Sequence, residues 1–567
     1  MKAHGAVQKA ILILPLLLSG ARAYCQTADD FFDPNVLHDI RIDINPSDWQ
    51  TLKANFEENT HYPADFHWIY GGRDLLVEQV SVRSRGLGSR TPVKPGLTVQ
   101  FDRFTDRTFA RLRSVVLRNN TLDASMMHEF VSMELMRRMG VPAPREAYAR
   151  LSVNGEYAGL YTIVEDVDPV FLQRNFGESG GYLYKYEYNA ADPPNRFEWR
   201  GLDASTYSPV PFKPETHRAD PNPWPLVEMV AAINFAGDSY FETALAPFLD
   251  LKQFLKEVAV ESYLAETDGI LADWGMNNFY LYRFTGANRS QFIPWDKDST
   301  FFAVDRSVWV NTNANILMRR ALAVPELRAY YIQALLQTAA AAGGVDGWLD
   351  REVRRVYSQI ADAAHADSNK QCYGDTPVMR TCSNDEFDAA QQWIAEFAQK
   401  RAAFATQELL ETTTADFSIH NGGALHSTAE GQGLAPVVSS ARIEAGPEYA
   451  APAGFALLSL VKANVLVNQT VIPSSRATQA GRIYAEVRDG VTTALAIYNP
   501  NDDFATIQFY FTDFSGLDFG YGELTVAPNS QVAGFLNEAP FNQAAPFIAT
   551  LTFVPPCRLR YRRSGGS

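Results

Sequence analysis

The amino-acid sequence predicts an α+β chain whose strand-rich first part passes into a helix-rich part and then into an all-β antiparallel sandwich. Three observations predict it. Strand and helix signals alternate up to about residue 412, with strands concentrated early and long amphipathic runs late. The composition then shifts: the last of the nine Trp is Trp393, and Lys462 is the single Lys after residue 412. Short β-rich runs separated by turn residues fill the remainder. A length of 567 residues suits roughly two to four domains with ample core. We divide the chain into residues 1–23, a signal peptide; 24–412, an α+β domain; 413–436, a linker rich in Thr, Gly and His; and 437–567, the sandwich.

Met1–Ala23 opens with Lys2 and Lys9, continues through the apolar run Ile11–Leu18 and closes on Ala21-Arg22-Ala23. Those last small residues stand where a signal peptidase reads. The apolar run is far short of the roughly 20 residues a membrane span requires. The expected product is exported (secreted, periplasmic or at the cell surface) with no transmembrane segment. Val77–Arg85 and Thr98–Asp102 read as strands, and Arg107–Leu117 as partly extended. Ser125–Met139 reads as an amphipathic helix, begun by Asp123 or Ser125 and stopped by Gly140, with Pro142 beyond. Ala147–Val153 and Gly159–Val164 form a hairpin around Asn154-Gly155, a dipeptide that accepts the left-handed backbone of a type I′ turn. Asp250 caps a helix over Leu251–Glu266, and helices follow at Pro325–Ala341, Gly347–Ala364 and Asp385–Leu410. The strands predicted for the sandwich are Phe455–Val461, Val465–Val471, Arg482–Val487, Thr493–Tyr498, Ala505–Thr512, Gly522–Val526 and Ile548–Phe553.

Composition narrows the function. With 50 basic and 65 acidic side chains the formal charge is −15, which excludes a protein that binds nucleic acid by neutralising phosphate. Loss of Lys2, Lys9 and Arg22 with the signal peptide makes it more acidic still. No H-E-x-x-H or G-x-x-x-x-G-K-[ST] motif occurs, which sets aside zincins and P-loop enzymes. Of the four Cys, Cys372 and Cys382 flank a polar loop between two helical stretches. In an oxidising compartment they are expected to form a local disulfide. Trp68 and Tyr70 suit buried packing better than a carbohydrate platform.

The informative constellation lies in the middle of the chain. Asp273-Trp274-Gly275-Met276-Asn277-Asn278 precedes a predicted strand, Phe279–Phe284; a polar turn and a second strand lead to Asp296-Lys297-Asp298. An acid, an Asn five residues on, a hairpin and a second acid form an arrangement that phosphoryl transfer uses. One carboxylate orients an incoming hydroxyl or accepts its proton, while the Asn and the second acid hold Mg²⁺ against nucleotide phosphates. Protein kinases show the same D-x-x-x-x-N spacing. Asp and Asn are also turn residues, so the triplet by itself equally suits the ends of strands.

The surrounding residues sharpen the reading. Asn277-Asn278-Phe279-Tyr280-Leu281-Tyr282 followed by Pro294-Trp295-Asp296-Lys297-Asp298 resembles the signature of the CotH kinase family of atypical kinases. Val82-Arg83-Ser84-Arg85-Gly86-Leu87-Gly88-Ser89 with Lys94 resembles its R-x-R-G-x-x-S…K strand pair. Leu117-Arg118-Asn119-Asn120 with Asp123, Ser125 and the run to Pro142 resembles its N-lobe helix region. Gly159-Leu160-Tyr161 with Val164-Glu165 is similar to the hinge strand, and Gly181-Tyr182-Leu183-Tyr184-Lys185 to a later block. The similarity runs from about Asp39 to Asp298, with the helices to residue 410 completing a C-lobe. Three positions depart from the family pattern: Gly275, Leu87-Gly88 and His128 stand where His, Asn-Ser and Arg are common.

The resemblance implies a protein-kinase-like, two-lobed domain that uses ATP and Mg²⁺ (or Mn²⁺) to phosphorylate Ser/Thr of surface or secreted proteins. It implies Asp273 as the catalytic residue, and Asn278, Asp296 and Asp298 as metal residues. Around the nucleotide it implies Lys94 or its rival Lys185, with Arg85, Gly86, Ser89 and Glu165; Glu129 and Glu134 compete as the lysine's acidic partner. The alternative is a catalytically inactive surface or scaffold protein that keeps the fold, or one that binds cell-surface polysaccharide through its C-terminal domain.

Overall fold

The computed structural model describes residues 26–188, 195–373, 378–413, 455–462, 465–473, 478–488, 491–501, 504–526, 530–544 and 546–554. The expected signal peptide and linker, Cys25 and Cys557 lie outside the described residues.

Alternating apolar side chains close the first strands into a barrel. Its strands are β1 (Leu37–Ile44), β2 (Tyr62–Tyr70), β3 (Arg73–Arg85), β4 (Gly96–Gln100), β5 (Ser114–Arg118), β6 (Glu146–Val153) and β7 (Glu156–Glu165). The order around it is β1-β2-β3-β4-β5-β7-β6. Neighbours are antiparallel except β1 and β6, whose parallel pairing sets Leu37 opposite Tyr148 and completes the circle. Ile40, Ile42, Phe66, Trp68, Val82 and Leu117 fill the interior. Trp68 is fully buried and stacks on Tyr70 at 4.6 Å, so these rings pack the core as expected. The β6–β7 turn follows from Asn154 and Gly155, at φ 52° and 83°, the two left-handed positions a type I′ turn needs.

Four helices flank the barrel: α1 (Ala28–Phe31), α2 (Pro46–Ala54), α3 (His128–Arg138) and α4 (Pro169–Phe176). Helix α3 begins three residues later than its apolar period suggests, because Met126 takes a left-handed backbone at φ 57°. The capping acid is nevertheless Asp123, whose carboxylate accepts from Ser125 N at 2.8 Å and His128 N at 2.7 Å.

A second antiparallel sheet follows, ordered β11-β10-β8-β9 and built from β8 (Tyr182–Tyr186), β9 (Phe212–Pro214), β10 (Phe279–Arg283) and β11 (Ser290–Pro294). Helices α5 (Trp224–Phe235), α6 (Phe241–Leu245), α7 (Leu251–Tyr263), α8 (Ile316–Ala323), α9 (Pro325–Ala342), α10 (Trp348–Ala366) and α11 (Asn384–Thr413) complete this part. Helices α7, α9, α10 and α11 share the largest core with α3. Asp250 caps α7 as expected, accepting from Lys252 N and Gln253 N. The helix stops at Tyr263 rather than Glu266, since Ala265 turns left-handed at φ 54°. A short ribbon of β12 (Gln371–Tyr373) and β13 (Met379–Thr381) is closed by the expected Cys372–Cys382 disulfide, with Cα atoms 5.5 Å apart.

The C-terminal strands are all antiparallel. β14 (Phe455–Lys462) pairs with β15 (Val465–Pro473). A five-stranded sheet is built from β16 (Gly481–Arg488), β17 (Val491–Thr492), β19 (Ala505–Thr512), β20 (Asp518–Val526) and β22 (Phe547–Val554), and a ribbon from β18 (Ala494–Asn499) and β21 (Ser530–Phe535). Leu495, Ile497 and Val532 of the ribbon pack on the core of the sheet around Phe509, Phe511 and Leu551. The molecule is thus a mixed α+β structure with a seven-stranded barrel. No helix among the described residues is long and apolar enough to cross a membrane.

Candidate functional site

The β10–β11 hairpin brings the two halves of the acid–Asn–acid pattern together. Its register pairs Phe279 with Pro294, so the residues just outside it are neighbours, and Trp295 N donates to the Asn278 carbonyl at 3.2 Å. Asn278 and Asp296 both take a left-handed backbone at φ 56°. Asn and Asp adopt this conformation more readily than other residues with a Cβ, because their short polar side chains bond locally.

Packing then joins this hairpin to the barrel. Tyr280, Ile293 and Trp295 cluster with Val116 of β5 and Val164 of β7. The end of β5 thereby meets Asp296. Arg118 donates through Nη1 to Asp296 Oδ1, while its Nε pairs with Glu129 Oε2 on α3. The same contact gathers cations around one indole: Arg118, Arg85 and Lys185 lie 5.4, 5.6 and 6.0 Å from the Trp295 ring centroid. Lys185 arrives there because β8 pairs it with Tyr280.

The charges shape one another. Burial, and then the neighbouring Arg118, push the Arg85 guanidinium down from its ordinary value. Burial and Arg85 do the same to Lys185. Burial by itself raises the Asp296 carboxyl, yet Arg118, Arg85 and Lys185 outweigh it and hold Asp296 below the usual carboxylate range. At Asp298, burial and Asp296 outweigh Arg118 and push the carboxyl up to about 7. Glu129 is raised by burial despite Arg118. Three cations, Arg85, Arg118 and Lys185, thus meet three acids, Asp296, Asp298 and Glu129, at this spot.

Two buried donors lie nearby. Arg118 Nη2 and Asn120 Nδ2 have no hydrogen-bond partner, a state that is expensive unless a ligand or water fills it. Both belong to residues lining a cleft bounded also by Arg85, Ser89, Glu129 and Asp298. Ser89, at the end of the turn that begins at Gly86, lines one edge of it. Gly86 sits at φ 114°, and a Cβ there would lie 2.4 Å from Ser89 Oγ, so only glycine fits the turn. The Ser89 carbonyl accepts from Asn119 Nδ2 at 2.8 Å.

The donor set suits a hard divalent cation. Asn278 Nδ2 donates to Asp268 Oδ2 at 2.9 Å, which leaves the amide oxygen turned away from Asp268. Asp268 Oδ1 takes Asn277 Nδ2 at 2.8 Å and Trp274 Nε1 at 3.1 Å, so one carboxylate orients the whole loop. Among the described residues, one triplet of His, Cys, Asp or Glu brings its ligand atoms within 4.8 Å: Cys372, Cys382 and Glu386, whose sulfurs are joined in the disulfide. Asp296 and Asp298 therefore join no third His, Cys, Asp or Glu in such a cluster among the described residues. Mg²⁺ does not ask for one, since it usually takes one or two carboxylates and completes its shell with water and phosphate.

The remaining predicted residues are placed as follows. Asp273 lies in the loop between α7 and β10 with its side chain 58% exposed, held through Oδ1 by Asn311 Nδ2 at 2.7 Å and Arg306 Nη2 at 3.5 Å. Glu165 is buried in an ion network with Arg145 and Arg174 at the end of β7. Lys94 is fully buried, and its ammonium donates to Asp367 Oδ2 at 2.7 Å and the Leu160 carbonyl at 2.8 Å. Neither Glu129 nor Glu134 pairs with it: Glu129 serves Arg118, and Glu134 serves Arg137. Sequence reasoning gave Arg118 and Asp268 no role. The signal for Arg118 was its place in the Leu-Arg-Asn-Asn block; for Asp268 there was only an acid in a turn after a helix.

The family model described as CotH kinase protein matches residues 82–405. The chain is 22% identical over 378 residues to the inner spore coat protein H of Bacillus subtilis, covering 65% of this chain and 96% of that protein. It is 24% identical over 302 residues to invasin CotH7 of Rhizopus delemar, covering 51% of this chain and 47% of that one. The matched segment runs from β3 through the hairpin and the cation cluster into α11, and on that basis the chain belongs to the CotH kinase protein family.

Proposed function

We propose that this protein is an exported kinase that transfers the γ-phosphate of ATP to Ser or Thr hydroxyls of surface or secreted proteins, with Mg²⁺ or Mn²⁺. In this reading the barrel serves as an N-lobe and the helices as a C-lobe, with the nucleotide between them. The observation that carries it is the meeting of Arg85, Arg118 and Lys185 with Asp296 beside Asn278, next to a cleft holding two unpaired buried donors.

A bound divalent cation supplies neutralisation of the β- and γ-phosphate oxygens. Asp296, Asn278 and Asp298 would hold it. Arg85 and Lys185 meet the phosphate charge that remains, in a site shielded from water where such contacts are strong. The Gly86–Ser89 turn covers the phosphates. Asp273 accepts the proton of the acceptor hydroxyl as its oxygen attacks the γ-phosphorus and the bond to the β–γ bridging oxygen breaks, releasing ADP. Arg306 and Asn311 hold one carboxylate oxygen of Asp273 in place for that task. Export by the N-terminal segment agrees with the surface setting that the names of the two relatives, a spore coat protein and an invasin, suggest.

One observation favours a second reading, a catalytically silent scaffold: Arg118 already satisfies Asp296. Thermal stabilisation and radiolabelled transfer separate the two. A ligand at 100 times its Kd stabilises by about 2.7 kcal/mol. The kinase reading expects a shift with ATP and Mg²⁺ that Asp296→Asn abolishes, together with loss of transfer. A wild-type protein that shifts with no nucleotide–metal combination overturns it in favour of the scaffold.

A further inference from the structure

We propose that Lys297, paired with Glu261 of α7, is a positioning residue that sets the spacing between Asn278 and Asp296. The inference rests on reading those two residues as the metal pair.

Lys297 stands between the two acids of the Asp296-Lys297-Asp298 turn and is fully buried. Its Nζ lies 2.6 Å from Glu261 Oε1 and donates to the Asn278 carbonyl at 3.0 Å. The other oxygen of Glu261 accepts from Ile270 N at 2.9 Å. One carboxylate on a helix thus grips the loop that leads to Asn278, and through Lys297 also the turn that bears Asp296. The Lys297 carbonyl accepts from Thr300 Oγ1 at 3.0 Å, and Thr300 bonds Ser132 of α3 at 2.8 Å. The turn is therefore anchored to two helices.

A core pair that served stability alone would not need these charges. Replacing a buried ion pair with apolar side chains of similar volume is often neutral or stabilising. Here the Lys297 ammonium lies 2.6 Å from Glu261 Oε1. Its remaining hydrogen bond goes to the main chain of Asn278 itself. Asn278 and Asp296 are the two left-handed residues of the hairpin ends, at φ 56° each, and a backbone of that kind relaxes when its supports are removed. Partners behind a metal ligand commonly alter metal affinity by about 10–100-fold.

The experiment compares wild type with Lys297→Met and with the double variant Glu261→Gln, Lys297→Met. The double variant leaves no unpaired carboxylate from that pair, and Gln keeps an acceptor for Ile270 N, so it carries the test should the single variant fail to fold. Two readouts are taken: Mn²⁺ binding by electron paramagnetic resonance in the presence of ADP, and amide exchange of the segments around residues 277–279 and 296–298. Both variants are expected to weaken Mn²⁺ binding by about tenfold or more, to leave metal-free ADP affinity within about twofold of wild type, and to speed exchange in both segments but not in the barrel strands. Wild-type Mn²⁺ affinity and wild-type exchange in the double variant overturn the positioning role while leaving the metal pair intact. Absence of Mn²⁺ binding in the wild type overturns the metal reading; exchange then still decides whether Lys297 holds the two residues together, and unchanged exchange overturns that as well.

Discussion

Lys94 offers the sharpest test of how the charges are used. Sequence resemblance implies a phosphate-binding lysine at this position, whereas its ammonium is sealed against Asp367 with both side chains at 0% exposure. The pair joins the barrel to the end of α10. Asp367 Oδ2 also accepts from Leu160 N at 3.0 Å, and its Oδ1 from Asn369 N at 2.9 Å. Gly159 makes room for it, since a Cβ there would lie 2.4 Å from Asp367 Oδ2. Lys94→Met keeps the volume and removes the charge. Breaking a buried pair from one side costs about 3–5 kcal/mol, and the two backbone donors left on Asp367 argue for the lower end. For a cooperative unit of roughly 390 residues, an unfolding entropy of about 2.1 cal/mol/K per residue makes each kcal/mol worth about 1.2 °C. Differential scanning calorimetry should therefore show Tm falling by about 4–6 °C. Adding Asp367→Asn, which removes the stranded charge, should recover part of the loss. The folded Lys94→Met variant should bind ATP with Mg²⁺ as the wild type does. A Tm change under about 1 °C combined with loss of nucleotide binding would refute the reasoning and return Lys94 to the phosphates.

Two further outcomes follow from buried groups elsewhere. Burial, opposed by Lys297 and helped by Glu261, pushes Glu266 up to about 8. The native protein then holds that proton up to about pH 8 while the unfolded chain releases it near 4.5, so stability falls as pH rises between those values. Glu266→Gln keeps the acceptor for Asp268 N, found at 2.7 Å, and should flatten that fall by up to about 4–5 kcal/mol; equal pH slopes in urea titrations of variant and wild type would count against it. The Cys372–Cys382 disulfide closes a short loop, with a sequence separation of 10, worth about 2–3 kcal/mol by chain entropy. Tyr373 reaches the Gly88 carbonyl at 3.4 Å and Thr91 donates to Gln371 at 2.5 Å. Cys372→Ser with Cys382→Ser should therefore speed amide exchange in residues 86–94 as well as in the ribbon, and exchange confined to the ribbon would sever the proposed link.

What could be read from the residues alone was local. The β10–β11 hairpin, the caps at Asp123 and Asp250, the Asn154-Gly155 turn and the disulfide each depend on side chains close in sequence, where periodicity and turn chemistry act directly. Asn278 and Asp296 belong to this class, because a hairpin register brings them together. Parallel closure of the barrel by β1 and β6 does not: no local pattern marks which strands will meet across a hundred residues. The burial of Lys94 against Asp367 has the same origin. Lysines are mostly exposed, and the acid that buries this one stands 273 positions away.

Arg118 shows how a role can be present under a different residue. The kinase comparison prompts a search for a lysine on a strand and a glutamate on the neighbouring helix, with Glu129 and Glu134 as the candidates. A strand-to-helix ion pair does occur, and Glu129 is its acid, but the cation is a guanidinium. An ammonium is a point charge that serves whichever acceptor lies nearest, whereas the planar fork of Arg can hold two carboxylates at fixed angles. Arg118 sits between two, donating through Nη1 to Asp296 and forming an ion pair with Glu129. Arg118 thereby ties helix α3 to the Asp296 turn by charge, and a lysine at residue 118 would keep that charge without the second nitrogen that reaches Asp296.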